Sequence, residues 1–262
     1  MHQQPWRLIP LLSAPGNIQM AVDQWLLEQH ILGNQPSILR FYTWSPFAIS
    51  LGYHQRQYPE HWQNLTWQGE KIDIVKRPTG GRAVLHQGDL TYAVITSGLG
   101  GDRVTLPRSG ERLKTYEKIC EFLIEGWQNL GIPLHYGIAG RGYIHNPNCF
   151  ATATGADLVT TNNYKFIGSA QLRRSHAILQ HGSMRIWQNP QLCQQVFATE
   201  ITPDNSINQE LTIAEILDAL IMAAKNCFSV EFIIEPLSDT EWADIYSKLD
   251  ISEVQPLIEK KL

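Results

Sequence analysis

Residues 71–96, KIDIVKRPTGGRAVLHQGDLTYAVIT, carry the pattern from which the fold is read. The β-branched run up to Arg77 reads as a strand leading into the loop Thr79-Gly80-Gly81, and Leu90 to Thr96 then alternates like a second strand. Adjacent glycines let a backbone pass close to a ligand and leave amide N–H groups free for an anion or a carbonyl oxygen; Arg77 and Arg82 add positive charge beside them. On its own, Gly-Gly between strands is more often a hairpin turn. The chemical reading therefore depends on the rest of the chain.

Before this stretch, Asn17 begins a helical pattern through MAVDQWLLEQHIL that Gly33 stops. ILRFYTWSPFAISLGYHQ reads as two short strands broken at Ser45-Pro46. After it, Gly98 to Gly110 is a connection, and LKTYEKICEFLIEGWQNLG is an amphipathic helix ended by Gly131. IPLHYGI reads as a strand and RGYIHNPNCFATATG as an exposed loop. ADLVTTNNYKFIGSAQ and AILQHGSMRIW read as strands, the first containing a tight turn at Thr161-Asn162-Asn163. The C-terminal part reads as helix LTIAEILDALIMAAKNCF, short strand VEFIIE and a helix from about Asp239. The N-terminal residues show a brief apolar patch interrupted by Pro10. With no repeat or polar linker, the expectation is a single α+β domain over residues 1–262, its sheet largely antiparallel or mixed, with flanking helices.

Composition narrows the function. A hydrophobic share of 43% suffices for a packed core, and a net charge of -4 gives no general attraction to nucleic acid. No run approaches the roughly 18 apolar residues of a membrane span, and no export leader is recognisable. A soluble cytoplasmic protein without nucleic-acid or membrane partners is expected. Cys120, Cys149, Cys193 and Cys227 are widely separated and have no His at metal-ligand spacing, so neither a metal site nor a disulfide scaffold is expected. Cys120 and Cys227 fall in apolar helical patterns; Cys149 follows the turn-forming Asn146-Pro147-Asn148.

Two further segments resemble the glycine loop in coupling polar groups to small residues. Lys165 stands before Gly168-Ser169-Ala170, whose small side chains leave room for an extended ligand, and Gln180-His181-Gly182-Ser183 follows an apolar strand. Singly, Lys165 reads as a solvated strand lysine and His181 as structural.

RPTGGRAVLH, LTYAV, KFIGSAQ and LQHGS, in that order, resemble the biotin/lipoate protein ligase and transferase superfamily, and the likeness runs from about Trp6 to Ile186. Cys149-Phe150, in a loop ahead of the lysine strand, is most similar to the cysteine-dependent octanoyltransferase branch. The resemblance implies a catalytic fold of that superfamily, with Cys149 as nucleophile and Lys165 as the cation that favours its thiolate. It implies substrate contacts from Arg77, Thr79, Gly80, Gly81, Arg82, His86, Gly168, Ser169, Ala170, His181 and Gly182, and oxyanion donors from amides near Gly80-Gly81 or Gly168-Ser169. The donor would be octanoyl-acyl carrier protein and the acceptor a lysine of a lipoyl-domain protein such as the glycine-cleavage H protein, without a cofactor. Three alternatives stand beside it: a lipoate-protein ligase using ATP and Mg, an amidotransferase between lipoyl-domain proteins, and a non-catalytic acyl-binding protein.

Overall fold

The computed structural model describes residues 5–98, 111–137, 154–198 and 210–249. The chain runs β1 (Trp6–Ala14), α1 (Gly16–Ile31), β2 (Ile38–Trp44), β3 (Ala48–Leu51), a 3₁₀ turn (Glu60–Asn64), β4 (Thr66–Trp67) and β5 (Glu70–Lys71). It continues through β6 (Asp73–Lys76), β7 (Val84–His86), β8 (Leu90–Thr96), α2 (Glu111–Asn129), β9 (Leu134–Tyr136), β10 (Leu158–Thr160) and β11 (Lys165–Arg174). Then come β12 (Ala177–Met184), α3 (Pro190–Phe197), α4 (Ile213–Phe228), β13 (Phe232–Ile234) and α5 (Asp239–Ser247).

Eight strands form the main sheet in the order β13-β1-β2-β8-β12-β11-β10-β9. The β1 pairings with β13 and β2 are parallel and the others antiparallel, so the sheet is mixed within an α+β fold, as the sequence suggested. Period-two alternation divides its side chains. Leu39, Phe41, Tyr92 and Val94 pack with Phe122 and Trp127 of α2 and Leu220 of α4. Ile38, Tyr42, Ala93 and Ile95 pack with Val22 and Leu26 of α1 and Ile245 of α5. A second sheet, β6-β3-β7, has its own core with Trp62, and Leu192 and Val196 of α3 seal it.

Besides the short pieces β4, β7 and the 3₁₀ turn, which the sequence reading does not contain, two longer elements depart from it. The brief N-terminal apolar patch forms the nine-residue strand β1. Pro10 is accommodated because the β1–β2 register shifts between Ile9 and Leu12, and a proline is tolerated where a ladder bond is already missing. The short helix α3 is the other, absent from the sequence expectation although Asn189 caps it by accepting from the Leu192 amide, with a proline opening it.

Buried Arg7 on β1 ties the C-terminal segment to the sheet. Its guanidinium donates to both carboxylate oxygens of Glu241 at 2.7 and 2.8 Å and to the carbonyls of Glu235 and Pro236. Burial alone pushes the Glu241 carboxyl up, but Arg7 and the Ser238 amide outweigh it and hold the group below its usual range. Its contribution is therefore present above the unfolded-state pKa and is lost as pH falls through the lower folded value. Arg7→Ala should cost about 2–3 kcal/mol in urea unfolding at neutral pH. Comparing melts near pH 7 and pH 3 should show this difference shrinking in acid.

Candidate active site

The sequence segments singled out above converge on one cavity of about 310 Å³, near the lower limit for a small-molecule site. Met20, Tyr42, Trp44 and Val84 supply apolar wall. Further wall comes from the β11–β12 hairpin, where Gly168 pairs with Ser183, Ser169 with Gly182, and Ala170 with His181. Gly182 permits this close packing, since a Cβ there would lie 2.7 Å from Tyr92 Cε1 and 2.9 Å from the Gly168 carbonyl. Tyr92 donates to Ser169 Oγ at 2.8 Å, and Tyr116 bridges the carbonyls of Ala156 and Ser169. Burial raises both phenols well above their usual range, so they remain neutral donors.

Arg77 shapes the glycine loop from beneath. It donates to the Ser50 carbonyl at 2.9 Å and hydroxyl at 3.1 Å, to the Gly80 carbonyl at 2.9 Å, and to the Arg82 carbonyl at 2.7 Å. Expected from sequence to supply charge to a ligand, Arg77 borders the cavity with its guanidinium engaged by the loop's own oxygens. Arg82 contributes that carbonyl, and its side chain is not part of the described wall. The two glycines differ. Gly81 has φ +97°, and a Cβ there would approach Arg77 Nη2 to 2.7 Å; Gly80 needs no positive φ and faces open space.

Two histidines are held in the same manner, each by a carboxylate on Nδ1. His181 donates to Asp23 at 2.8 Å, and Thr79 donates to its Nε2 at 2.6 Å. Asp23 also takes Arg40 at 3.0 Å and the Tyr42 hydroxyl at 3.0 Å; both Arg40 and Asp23 are fully buried. Thr79 thus stands behind the cavity and reaches it through His181. His86 donates to Asp89 at 2.8 Å and stacks on Trp44 with ring centres 3.7 Å apart. Its Nε2 faces Ser50 Oγ at 2.8 Å.

Lys165 is buried at the start of β11, and its ammonium lies 2.8 Å from Asp157 Oδ2. The same oxygen accepts from the Thr154 amide at 2.7 Å and hydroxyl at 2.9 Å. A buried ammonium needs such a counter-charge, which the reading of Lys165 as a solvated strand residue did not anticipate. The signal for Asp157 was its place directly before an apolar strand that pairs with the lysine strand. Asp23 left no local signal, being 158 positions from His181.

Cys149 lies outside the described residues. Cys120 and Cys193 are buried, and burial pushes both thiols up to about 12. Cys227, beside Glu125, is likewise pushed up to about 12 by burial first and by its hydrogen bond to that carboxylate. All three are protonated and poorly nucleophilic at neutral pH.

The α+β frame thus holds a partly apolar cavity bordered by a buried lysine. Residues 15–224 match the model of the lipoyl protein ligase A/B catalytic domain, and the chain belongs to that family. It is 32% identical over 253 residues to octanoyltransferase LipM of Carboxydothermus hydrogenoformans, covering 90% of this chain and 91% of the relative. It is 34% identical over 197 residues to octanoyltransferase LipM of Bacillus subtilis, covering 70% and 66%. Among solved structures, a lipoate-protein ligase A bound with ATP superposes with TM-score 0.71 at 21% identity, covering 93% and 94% of the two chains. A bi-partite lipoate protein ligase of Thermoplasma acidophilum gives 0.67 at 20% identity, covering 94% and 92%. These structures share the fold.

The loop geometry separates binding from stability. Gly80→Val fills open space beside the cavity and should reduce acyl-substrate turnover at least tenfold with a thermal midpoint within a few degrees of wild type. Gly81→Val, at a positive φ against Arg77, should lose both turnover and several degrees of melting temperature. Parallel melting curves and turnover assays distinguish the two.

Proposed function

We propose that this enzyme is an octanoyltransferase of lipoate biosynthesis that takes octanoyl from acyl carrier protein onto Cys149 and passes it to a lysine of a lipoyl-domain protein. The glycine-cleavage H protein is the acceptor this reading favours, and the cytoplasm is its compartment. The carrying observation is the convergence of Gly80, Gly81, Lys165, Gly168 and Ser169 on one partly apolar cavity. The relatives named octanoyltransferase supply the acyl group. Burying six methylenes of that chain contributes roughly 5 kcal/mol, which favours it over acetyl.

In this mechanism the Cys149 thiolate attacks the carrier thioester, the carrier thiol leaves, and the acceptor amine then displaces the cysteine. Exchange between thioesters is nearly isoenergetic and amide formation is downhill, so no ATP or metal enters. The ligase alternative asks for positive charge to hold a triphosphate. Among the described residues, the Arg and Lys side chains on the cavity wall are Arg77 and Lys165, already engaged by carbonyls and by Asp157 respectively. That charge balance supports the transferase reading.

Intact-mass analysis after incubation with octanoyl carrier protein, without ATP, should find one octanoyl adduct that hydroxylamine removes. Cys149→Ala should lose both adduct and transfer, while Cys120→Ala, Cys193→Ala and Cys227→Ala keep them. Octanoylation by Cys149→Ala when ATP and free octanoate are supplied would establish the ligase reading instead.

The charge pair provides a second prediction. Lys165→Ala alone leaves Asp157 buried without its cation and should cost about 3–5 kcal/mol of stability. Lys165→Met combined with Asp157→Asn removes both charges and should fold better. If Lys165 favours the thiolate, alkylation of Cys149 in that double variant should need a higher pH; an unshifted alkylation profile would remove Lys165 from the role.

A further inference from the structure

Asp89, His86 and Ser50 form a continuous hydrogen-bonded line that the transfer cycle above leaves unused. In the antiparallel pairing of β3 with β7, Ala48 lies opposite His86 and Ser50 opposite Val84, so Ser50 and His86 are diagonal neighbours on the ladder. A carboxylate can only accept, so the 2.8 Å contact with Asp89 places the ring proton on Nδ1 and leaves Nε2 as an acceptor. Nε2 then receives the Ser50 hydroxyl at 2.8 Å. Ser50 Oγ also accepts from Arg77 Nη1 at 3.1 Å, and a hydroxyl oxygen with two lone pairs keeps a second one available. Ser50 and His86 both border the cavity.

The rest of the line is fixed. Asp89 Oδ2 also accepts from Ser183 at 2.7 Å and from Thr91 at 3.2 Å, and Trp44 donates to Thr91 at 2.8 Å while stacking on the imidazole. Ser183 pairs with Gly168, three residues beyond Lys165 on β11, so the line meets the cavity toward the lysine end of the hairpin. His181 is built similarly, but its hydroxyl partner Thr79 is not part of the described wall.

Octanoyl transfer to a lysine raises a problem that Cys149 and Lys165 do not solve: the acceptor side chain arrives as an ammonium, and an ammonium has no lone pair with which to attack. Resting on the transferase reading, we propose that Ser50 and His86 form a proton relay, oriented by Asp89, that deprotonates the incoming acceptor lysine. The ammonium gives one proton to Ser50 Oγ as the Ser50 proton passes to His86 Nε2, producing an imidazolium whose Nδ1–H stays on Asp89. The free amine attacks the octanoyl carbonyl, the C–N bond forms and the C–S bond breaks. The second amine proton leaves with the departing sulfur, and His86 returns its proton to solvent. No other reactant is consumed. Desolvation in the cavity lowers the affinity of the amine for its proton, and burial lowers that of His86 too, so the proton still moves uphill and the downhill amide step draws it forward.

Its surroundings keep His86 unprotonated and so able to accept. Burial pushes its pKa below the usual value; Asp89 opposes this, and Arg77 and His181 reinforce it. The relay is therefore neutral and competent at pH 7 and fails as pH falls toward the His86 value.

The test compares two acceptors with octanoyl carrier protein as donor: a lipoyl-domain protein, whose lysine must be deprotonated, and hydroxylamine, which is already unprotonated at neutral pH. Product formation above the enzyme-free rate is measured for each, giving a lysine-to-hydroxylamine ratio. His86→Gln should lower this ratio about a hundredfold at pH 7, within the range of general-base catalysis. The ratio should recover with rising pH as the free-amine fraction grows. Ser50→Ala removes one oxygen and should change the ratio in the same direction even if His86→Gln folds poorly. Equal slowing with both acceptors, or an unchanged ratio in Ser50→Ala, would overturn the relay and leave these residues as supports of the loop. Because product rather than adduct is measured, a wild type that never carries octanoyl would count against the Cys149 intermediate while the ratio still judges His86.

Discussion

The Arg77 guanidinium is the constraint on which the cavity depends. A buried cation is tolerable only where its donors meet acceptors, and Arg77 meets Ser50 on β3 and the carbonyls of Gly80 and Arg82 on both sides of the loop. Its planar fork can reach these separate oxygens at once, which a lysine point charge could not. The loop is thereby closed by an internal ion, and glycine suits position 81 both for its positive φ and because the guanidinium occupies the space a side chain would take. Holding Ser50 from the same cation also fixes the hydroxyl that faces His86.

What could be read in the sequence was local. Strands β8, β11 and β12 and helices α1, α2 and α4 carried their own periodicity, and the motif order placed the glycine loop and the lysine strand in one family. Strand β1 was obscured because Pro10 breaks the expected ladder, a defect the bulge absorbs only once β2 is alongside. Helix α3 has eight residues, too few for periodicity to speak; its Asn189-Pro190 start was the available sign. Among site residues, those beside glycines stood out, whereas the carboxylates that orient them did not. Asp23 serves His181 across the fold, a pairing that no spacing rule anticipates. Asp89 is three residues past His86 and was within reach, since Gly88 with φ +67° marks the turn that brings them together.

The Lys165–Asp157 pair bears on how a thiolate could be favoured in this site. The carboxylate pairs with the buried ammonium, but it also cancels part of that ammonium's field at a distance, leaving a dipole whose influence falls off faster than that of a lone charge. A cysteine would gain from Lys165 only in close contact on the side away from Asp157. Cys120, Cys193 and Cys227 have no such contact and are protonated. The same pairing that stabilises the lysine therefore makes its assistance short-ranged, so one thiol could be activated without making the others reactive.

Charge balance extends this reasoning to the whole cavity shell. Arg40 and Lys165 pair with Asp23 and Asp157, while Arg77 is met by the Ser50, Gly80 and Arg82 carbonyls and Asp89 by His86; these Arg, Lys and Asp side chains are all buried. Two of the carboxylates orient histidines, and the third holds the lysine. A shell whose charges are already engaged exerts less attraction on a free anion, yet its fixed dipoles can still meet charge that develops within the cavity. In the proposed transfer an acyl thioester would enter neutral and acquire an oxyanion only during attack, so a preorganised shell would discriminate between ground and transition states where an unpaired cation would bind both.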